Sequence, residues 1–538
     1  MNHKGKAQEI RNEYANLAVG YIPHLMGLID RNPYSPTYGC FDREYWHYKT
    51  RDFPCGMSQE FVLPLALAYA TDFPENRWYG EERIKELAIA GIEFAKTHSH
   101  SDGTCDDYYP WERAMGALAF STYACTETYQ ILGLSDESLE RFFALRGEHL
   151  LAHNESGRLS NHQALAALAL FNIYQITGNE IFKIGAQERI DLVLSWQHSE
   201  EGWFQEYEGA DPGYQTCTID FLAKYFQKTG DRSLLPSLER AVEFAAHFIH
   251  PDGSYGGEYG SRNSYHFYPH GFEILALEIP LAAQITNAWL RGVQRGKRYY
   301  NDDDRMIGHL SYNFIQAWAD FAKDRPEEKL RDGHPFIRWY EGAGILVVSK
   351  PRYYAVSGMK KGGVLKVYSN SGCLYSDTGL IGSLPDGKVL VSHLQDEKNV
   401  VDASVENESF VVEGCFAQRS TKLASPFRLI IFRVLNISFG RFFPNLLRRI
   451  LQKILITGKF RTNLKFKRVI RFSDDHISIT DQFPPGRFAR LSVGSDATSI
   501  YVAASNVYQD SILNPWLHAD ENILNKSGEF HRRITPEG

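Results

Sequence analysis

Apolar residues recur at helical spacing through the first 325 residues of this chain. Eight segments carry the pattern: 61–70, 84–97, 113–132, 139–152, 161–177, 181–197, 216–229 and 233–249. Roughly every fifty residues a helical run ends in a polar turn that contains a glycine, namely Gly103, Gly157, Gly202 or Gly253. This period predicts stacked helical hairpins, and turns of one kind then lie at one end of the stack.

Hairpins of this type either curl into an incomplete α/α toroid or extend as a straight solenoid. The polar turns are rich in ionisable and aromatic residues, as in the stretches 106–113 and 259–273. In a toroid these side chains would surround one mouth, so their chemistry favours the toroid.

Beyond residue 334 the chain changes to short β-branched segments that are typical of strands. A charged stretch without periodicity, 325–334, precedes them and is interpreted as the linker. The predicted strands are 344–349, 353–357, 364–368, 388–392, 410–413, 427–435, 466–472, 476–481 and 489–502. Their succession predicts an antiparallel β-sandwich. The fold class is therefore α+β, with an incomplete α/α toroid at 1–330 and a β-sandwich at 331–538.

One basic amphipathic helix, at about 444–457, is predicted to interrupt the sandwich. Pro444 opens it, Gly458 ends it, and one face carries Leu446, Leu447, Ile450, Leu451, Ile454 and Leu455. The surrounding stretch 415–473 has fourteen Lys and Arg residues and no Asp or Glu, although the whole chain has a net charge of −7. Three interpretations of 441–459 stay open: a helix packed on the sheet, peripheral contact with an anionic membrane, or a basic wall for an acidic polymer.

Composition narrows the class of protein. The 13% aromatic content suits a sugar-binding cleft, although a large helical core uses aromatic residues too. Seven widely spread cysteines without a C-x-x-C pair indicate reduced thiols. No apolar signal-peptide core and no membrane-spanning apolar run is visible, and no Gly-rich phosphate loop follows a strand. We therefore predict a cytoplasmic protein, with 441–459 a candidate for contact with the inner membrane face, and no nucleic-acid partner.

Candidate catalytic groups occupy equivalent places in successive hairpins. Asn161 and His162 stand at a helix start, and Tyr214 follows a Pro-Gly turn. This set suits removal of the C5 proton of a uronic acid, because donors must neutralise the adjacent carboxylate while a Tyr or His takes the proton. The Tyr can then protonate the departing glycosidic oxygen. Arg262 and His270, from the stretch 259–273, complete the catalytic prediction.

Other side chains of the mouth loops are predicted to bind substrate. Candidate sugar platforms and polar contacts are Tyr109, Trp111, Arg113, Trp203, Asp211, His266, Tyr268 and Glu273. The carboxylates of the same loops also allow a second chemistry, in which an acid and a base hydrolyse a glycosidic bond: Asp107, Glu112, Asp211, Glu258 and Glu273. The sequence shows no convincing cluster of metal ligands.

The toroid-plus-sandwich order, Asn161-His162 at a helix start and Pro212-Gly213-Tyr214 in the next mouth loop together resemble a known group. They resemble the heparinase II/III-like and alginate-lyase-like polysaccharide lyases, whose scaffold dermatan sulfate epimerase shares. The resemblance implies that Asn161 and His162 neutralise the carboxylate and that Tyr214 is the acid, the base or both. It implies no required cofactor, but a structural zinc or calcium ion in the sandwich.

The chain departs from this family at one point. The family usually brings a further catalytic His from an early sandwich strand, whereas 369–377 and 379–387 contain none and the nearest is His393. A substitute from the toroid, such as His270, is then expected.

The sequence thus predicts a polysaccharide lyase that cleaves an anionic, uronate-containing glycan by β-elimination. A uronate C5-epimerase in polysaccharide biosynthesis is the first alternative, favoured by the missing secretion signal. A non-catalytic protein that binds or assembles polysaccharide is the second, and a glycoside hydrolase is the remaining enzyme class.

Overall fold

The computed structural model describes residues 3–155, 157–301, 303–325, 330–331, 333–419, 423–452, 458, 460–497, 499, 503–505, 507–509 and 512–536. Helices fill the first part of the chain and antiparallel sheets the second, which confirms the predicted fold class. The helices of the first part are α1 (His3–Leu28), α2 (Arg43–Trp46), α3 (Val62–Ala70), α4 (Glu82–Thr97), α5 (Met115–Ile131), α6 (Glu137–Ala152), α7 (Ser160–Thr177), α8 (Glu180–Ser195), α9 (Pro212–Thr229), α10 (Leu235–Ala246), α11 (His270–Leu275), α12 (Pro280–Gln294) and α13 (Ile307–Ala319).

These helices form an inner and an outer layer. The inner helices α5, α7 and α9 are buried along almost their whole length, whereas α10 and α12 bury one apolar face each. Each inner helix packs on the next in the order α3, α5, α7, α9, α11 and α13, and α13 packs on α3. The hairpins therefore curl into a toroid and do not extend as a straight solenoid.

Glycines end the predicted turns for a steric reason. Gly103, Gly202 and Gly253 have φ angles of 77°, 79° and 86°, a conformation that side chains with a Cβ rarely adopt. A Cβ on Gly202 would also collide with the carbonyl oxygen of Arg240 on α10. These turns return the chain from an outer to an inner helix and lead into the mouth loops.

The second part of the chain begins with a five-stranded antiparallel sheet that is covered on both faces. On β3, Ile345 and Val347 belong to the toroid core, whereas Leu346 and Val348 belong to the core between the sheets. This explains the unbroken apolar run at 344–349, since a strand with two buried faces has no polar side. The strands, in spatial order, are β2 (Phe336–Tyr340), β3 (Ile345–Ser349), β4 (Tyr354–Gly358), β5 (Val364–Ser369) and β6 (Gly372–Asp377). The last toroid helix ends at Ala319, so the predicted boundary at 330 lies between the two parts.

A nine-stranded antiparallel sheet forms the outer layer of the sandwich. Its spatial order is β15, β13, β7, β8, β10, β11, β12 and β16, with β9 also paired to β10. A two-residue pair, β1 and β14, lies apart from it. The strands are β1 (Tyr299–Tyr300), β7 (Leu380–Ser383), β8 (Val389–Val391), β9 (Val400–Ser404), β10 (Ser409–Arg419), β11 (Phe460–Phe472), β12 (Ile477–Gln482), β13 (Arg490–Val493), β14 (Tyr508–Gln509), β15 (Leu517–His518) and β16 (Glu529–Ile534).

The connection from β10 to β11 is a helical insertion, α14 (Pro426–Leu435) and α15 (Pro444–Gln452), joined by a π turn at Asn436–Gly440. The predicted strand at 427–435 was therefore wrong. Ser425 caps α14, and Pro426 occupies its first turn, where a proline favours a helix. The predicted helix at 444–457 is present as far as Gln452, and 453–457 lie outside the described residues. Of the strand predicted at 489–502, the described residues form Arg490–Val493, and 498 and 500–502 lie outside the described residues.

The insertion packs on the toroid mouth. The ring of Phe432 contacts that of Tyr109 at 5.5 Å between centroids, and Arg433 forms an ion pair of 3.1 Å with Asp52. Among the helices in the described part of the chain, none is long and apolar enough to cross a membrane.

Candidate active site

The mouth loops of the toroid surround one cavity of about 450 Å³. Successive hairpins contribute Glu112, His162, Tyr214 and Arg262 to its lining, and the insertion contributes Phe432, Arg448 and Leu451. The volume is in the range of small-molecule and sugar-sized sites. The prediction that these loops gather around one mouth is thereby met, and the cavity is the candidate active site.

His162 lines the cavity and has one ring nitrogen held by the protein. Its Nδ1 lies 3.0 Å from Oε2 of Glu155, and its ring packs on Gly116 and on Phe120 at 5.9 Å between centroids. Within the described residues, Nε2 has no hydrogen-bond partner. A carboxylate on Nδ1 favours the tautomer that carries its proton there, so Nε2 is unprotonated and available as a base when the ring is neutral.

Tyr214 lines the same cavity as His162 and lies under the guanidinium of Arg262. The Cζ atom of Arg262 is 3.7 Å from the centroid of the Tyr214 ring. The Tyr214 hydroxyl has no hydrogen-bond partner in the part of the chain that the structure describes. Burial raises the pKa of Tyr214 well above its ordinary value, and Arg262 only partly opposes this. The phenol therefore carries its proton at neutral pH and can donate it.

A buried carboxylate, Glu206, holds the arginine in place. Its Oε1 accepts a hydrogen bond of 2.7 Å from Nδ2 of Asn161, and its Oε2 is 3.2 Å from Nη1 of Arg262. Asp211 caps α9, accepts from the backbone N–H of Tyr214 at 3.1 Å, and accepts from that of Arg262 at 2.8 Å. Asn161 and Asp211 thus lie behind the cavity wall, where they position Arg262 and Tyr214.

Arg448, from α15, forms ion pairs with two carboxylates at the cavity, Glu155 and Glu112. Its guanidinium is 3.0 Å from Glu155 and 3.5 Å from Glu112. Burial raises the pKa of Glu112 to about 7, although Arg448 acts in the opposite direction, and Asp107 adds to the rise. Glu155 therefore binds His162 on one side and the insertion on the other, and Glu112 is a second group that can exchange a proton near neutral pH.

The structure brings some predicted binding residues to the cavity and places others around it. Tyr109 and Tyr268 line it. His266 stacks on Tyr268, and burial, reinforced by Arg262, lowers the pKa of His266 to about 3, so this ring is neutral. Trp111 and Arg113 belong to a turn in which both backbone N–H groups donate to Asp106, at 2.8 and 3.0 Å.

The remaining three predicted residues, His270, Glu273 and Trp203, do not line the cavity either. His270 is buried with its Nε2 2.7 Å from Asp320. Glu273 forms an ion pair of 2.7 Å with Arg325 in the toroid core. Trp203 donates to Glu201 at 2.7 Å, near the junction with the sandwich.

Among the described residues of the sandwich, no histidine lines the cavity. His393 is buried, with its Nε2 2.6 Å from the hydroxyl of Ser499, and burial lowers its pKa to about 3. The sandwich acts instead through Lys361 and Lys366, which hold the loop that carries Arg262. Lys361 donates to the carbonyl of Gly260 and to Asn263, and Lys366 pairs with Glu258 at 2.7 Å.

Sequence reasoning missed several lining residues: Glu155, Tyr207, Arg305, Phe432 and Arg448. Glu155 lies in the turn before Gly157, and that turn was identified only as a helix end. Arg448 lies in a segment rich in basic residues, where no local pattern distinguishes an arginine that contacts the toroid from its exposed neighbour Arg449.

No group of three or more His, Cys, Asp and Glu side chains in the described residues is arranged to hold a metal ion. Two buried carboxylates of the sandwich are instead neutralised by arginines. Arg468 contacts Asp377 at 2.9 Å and Asp481 at 2.6 Å, and Arg532 contacts Asp481 at 2.6 Å. The zinc or calcium ion that the resemblance implies remains a prediction.

No protein-family model matches the sequence, and no curated protein matches it either. The fold, however, is similar to that of solved polysaccharide lyases. With xanthan lyase from Paenibacillus the TM-score is 0.54 at 13% identity, over 90% of this chain and 46% of that one. With chondroitin AC lyase from Streptomyces coelicolor, solved in complex with chondroitin sulphate, the TM-score is 0.55 at 12% identity, over 90% and 68%. This chain thus spans about half the length of the xanthan lyase. The likeness shows a shared fold, and the closer resemblance to heparinase II/III-like enzymes stays a prediction.

Proposed function

We propose that the protein is a polysaccharide lyase that cleaves a uronate-containing glycan by C5 proton abstraction and β-elimination. The observation that carries the proposal is one cavity lined by His162, whose Nε2 has no hydrogen-bond partner among the described residues, and by Tyr214, whose phenol is protonated. The fold shared with two solved polysaccharide lyases supports a glycan as the substrate.

In this proposal His162 takes the proton from C5 and Tyr214 supplies the proton that the leaving oxygen needs. Electrons of the broken C–H bond form the C4–C5 double bond, and those of the C4–O bond leave with the oxygen. Each arginine that lines the cavity already contacts a carboxylate, but a guanidinium has five N–H donors. Arg262 and Arg448 therefore retain donors for the substrate carboxylate, whose charge must be stabilised as the carbanion forms.

Asn161 has an indirect part in this proposal. The side-chain N–H of Asn161 donates to Glu206, and Asn161 does not line the cavity. Because Glu206 also contacts Arg262, Asn161 is a positioning residue for Arg262. We assign to Arg262 and Arg448 the neutralisation of the substrate carboxylate that the sequence predicted for the amide of Asn161.

A uronate C5-epimerase is a second candidate, because it makes the same carbanion and reprotonates it from the opposite face. Its supporting observation is that the two proton-transfer groups come from different inner helices, His162 from α7 and Tyr214 from α9. Two separate groups are what a transfer between opposite faces requires.

Incubation with heparosan, chondroitin, alginate and polygalacturonate in deuterated water separates the candidates. New ultraviolet absorbance from an unsaturated uronate supports the lyase, and C5 deuterium uptake without cleavage supports the epimerase. Binding without either change would indicate a non-catalytic polysaccharide-binding protein. Reducing ends released without a double bond would indicate a hydrolase and contradict the proposal.

A further inference from the structure

The insertion formed by α14 and α15 has an exposed outer face in the described structure. Half of the large apolar side chains that the described structure leaves exposed lie in the stretch 423–460. Phe427 is 71% exposed, Ile430 62% and Phe442 68%. Monomeric soluble proteins rarely expose an apolar patch of this extent, and such patches mark sites of interaction with a protein or a membrane.

The other face of the insertion is anchored, so the exposed face has a defined direction. Phe432 packs on Tyr109, Arg433 pairs with Asp52, and Arg448 pairs with Glu112 and Glu155. These contacts all lie at the toroid mouth. The apolar residues of the outer face therefore point away from the cavity that the inner face closes.

Charge distinguishes between classes of partner for this face. The stretch 415–473 has no acidic residue and fourteen basic ones, while the remainder of the chain is strongly acidic. Arg428, Arg441 and Arg449 are exposed beside the apolar side chains. An apolar face flanked by arginines is the pattern of a helix that lies in the interface of an anionic bilayer, since the rings enter the acyl boundary while the guanidinium groups meet lipid phosphates.

We propose that the outer face of α14 and α15 docks on an anionic lipid bilayer. A second copy of the chain fits less well, because pairing two such faces would bring their arginines together without counter-charges. Docking by this face would direct the toroid mouth toward the membrane. The inference is independent of the proposed function, because vesicle binding is measured without any glycan.

Flotation of the full-length protein with vesicles tests the proposal. One set of vesicles contains phosphatidylglycerol and phosphatidylcholine, and the other phosphatidylcholine alone, each at low and high salt. We expect the protein to bind the anionic vesicles, because each basic group near such a surface strengthens binding by about five-fold. High salt should weaken this binding, because it screens the attraction between the charges. The triple variant Phe427→Ser, Ile430→Ser, Val434→Ser should lose binding by at least about ten-fold, because three apolar groups no longer enter the bilayer.

The matched control replaces two exposed apolar residues of α8 on the toroid, Ile181→Ser and Ile184→Ser. This variant should bind vesicles like the unmodified protein. Equal binding by the triple variant and the control would overturn the proposal, as would equal binding to neutral and anionic vesicles. Absence of vesicle binding, together with self-association in sedimentation velocity that the triple variant abolishes, would show that a second copy covers the face.

Discussion

At the scale of single residues, the surroundings of His162 and Tyr214, the two groups to which the proposal assigns proton transfer, favour opposite roles. His162 has its Nδ1 on the carboxylate of Glu155, which orients the ring and leaves Nε2 as the acceptor. Tyr214 is kept protonated by burial, because its phenolate would lose hydration in the cavity wall. One group is therefore suited to accept a proton and the other to donate one.

Tyr214→Phe tests the donor. The change keeps the ring under Arg262 and removes only the hydroxyl, so we expect turnover to fall by about 10²–10⁴-fold with little change in the free energy of unfolding. The measurements are the initial rate on the polymer that the substrate screen identifies and a urea titration. Tyr225→Phe is the control, because Tyr225 lies on the same helix, and its hydroxyl contacts Gln187 on α8 at 3.4 Å. A normal rate for Tyr214→Phe would exclude the phenol as the acid.

Glu112 gives a prediction about pH. Its folded-state pKa of about 7 lies above the ordinary value of 4.5, so between these pH values the folded protein binds more protons than the unfolded chain. The free energy of unfolding must then fall as pH rises through this window, by on the order of 1–3 kcal/mol. Glu112→Gln should remove this part of the pH dependence.

Urea titrations at several pH values between 4.5 and 7 measure the difference. Glu137→Gln, at an exposed position of α6, is the control and should keep the pH dependence of the unmodified protein. If the free energy of unfolding changed with pH equally in Glu112→Gln and in the unmodified protein, the raised pKa of Glu112 would be excluded.

The sequence predicted part of this site, because the turns that place some of its residues can be recognised from neighbouring positions in the chain. His162 and Tyr214 stand at helix starts after recognisable turns, so a repeat of about fifty residues was enough to bring them to one mouth. His270 and Glu273 look equally functional in sequence, yet their side chains contact Asp320 and Arg325. Those partners lie about fifty positions further along the chain, and no local pattern reveals such pairings.

At the scale of elements, the insertion lines the cavity, and the ion pairs of Arg448 hold it there. Arg448→Met should leave Glu112 and Glu155 without their cation, at a cost of up to about 3–5 kcal/mol for a buried pair. We expect α14 and α15 to detach first, because none of the side chains of α14 is fully buried. Limited chymotrypsin digestion should then cleave after Phe439 or Phe442 faster than in the unmodified protein.

Arg449→Met is the matched control for that experiment. Arg449 is the next residue of α15 and is exposed, so its loss should not change the cleavage rate. If chymotrypsin cleaved both variants at the same rate, apolar contacts such as that of Phe432 with Tyr109 would be enough to hold the insertion without the ion pairs.

The insertion also shows where element prediction from sequence fails. The run Phe-Arg-Leu-Ile-Ile-Phe-Arg-Val-Leu at 427–435 has the β-branched and aromatic composition of a strand, but it forms α14. Short apolar runs do not distinguish a strand from a helix by periodicity. The capping Ser425 and the proline after it were the signals that favoured the helix.

At the scale of the whole molecule, the five-stranded sheet joins the toroid to the sandwich. Residues of β3 and β4, among them Ile345, Val347 and Val356, belong to the toroid core. A fragment of residues 1–330 would therefore expose the apolar surface that the sheet covers. We expect it to bind a hydrophobic dye and to lose the cooperative thermal transition of the full chain. A fragment that unfolds cooperatively without binding dye would show that the toroid is an independent folding unit.

The cavity wall joins Arg448 to Glu155 across 293 positions of the chain, and this separation has a consequence for synthesis. Translation at about 5–20 residues per second needs roughly 15–60 s to pass from one residue to the other. Between the synthesis of Tyr214 and that of Phe336, the growing chain holds His162 and Tyr214 but neither the five-stranded sheet nor the helices of the insertion, and the insertion stays incomplete until Arg448 is made. Ribosome-bound chains of this protein are thus expected to present an uncovered apolar surface to chaperones, and the lining of the cavity is completed only near the end of translation.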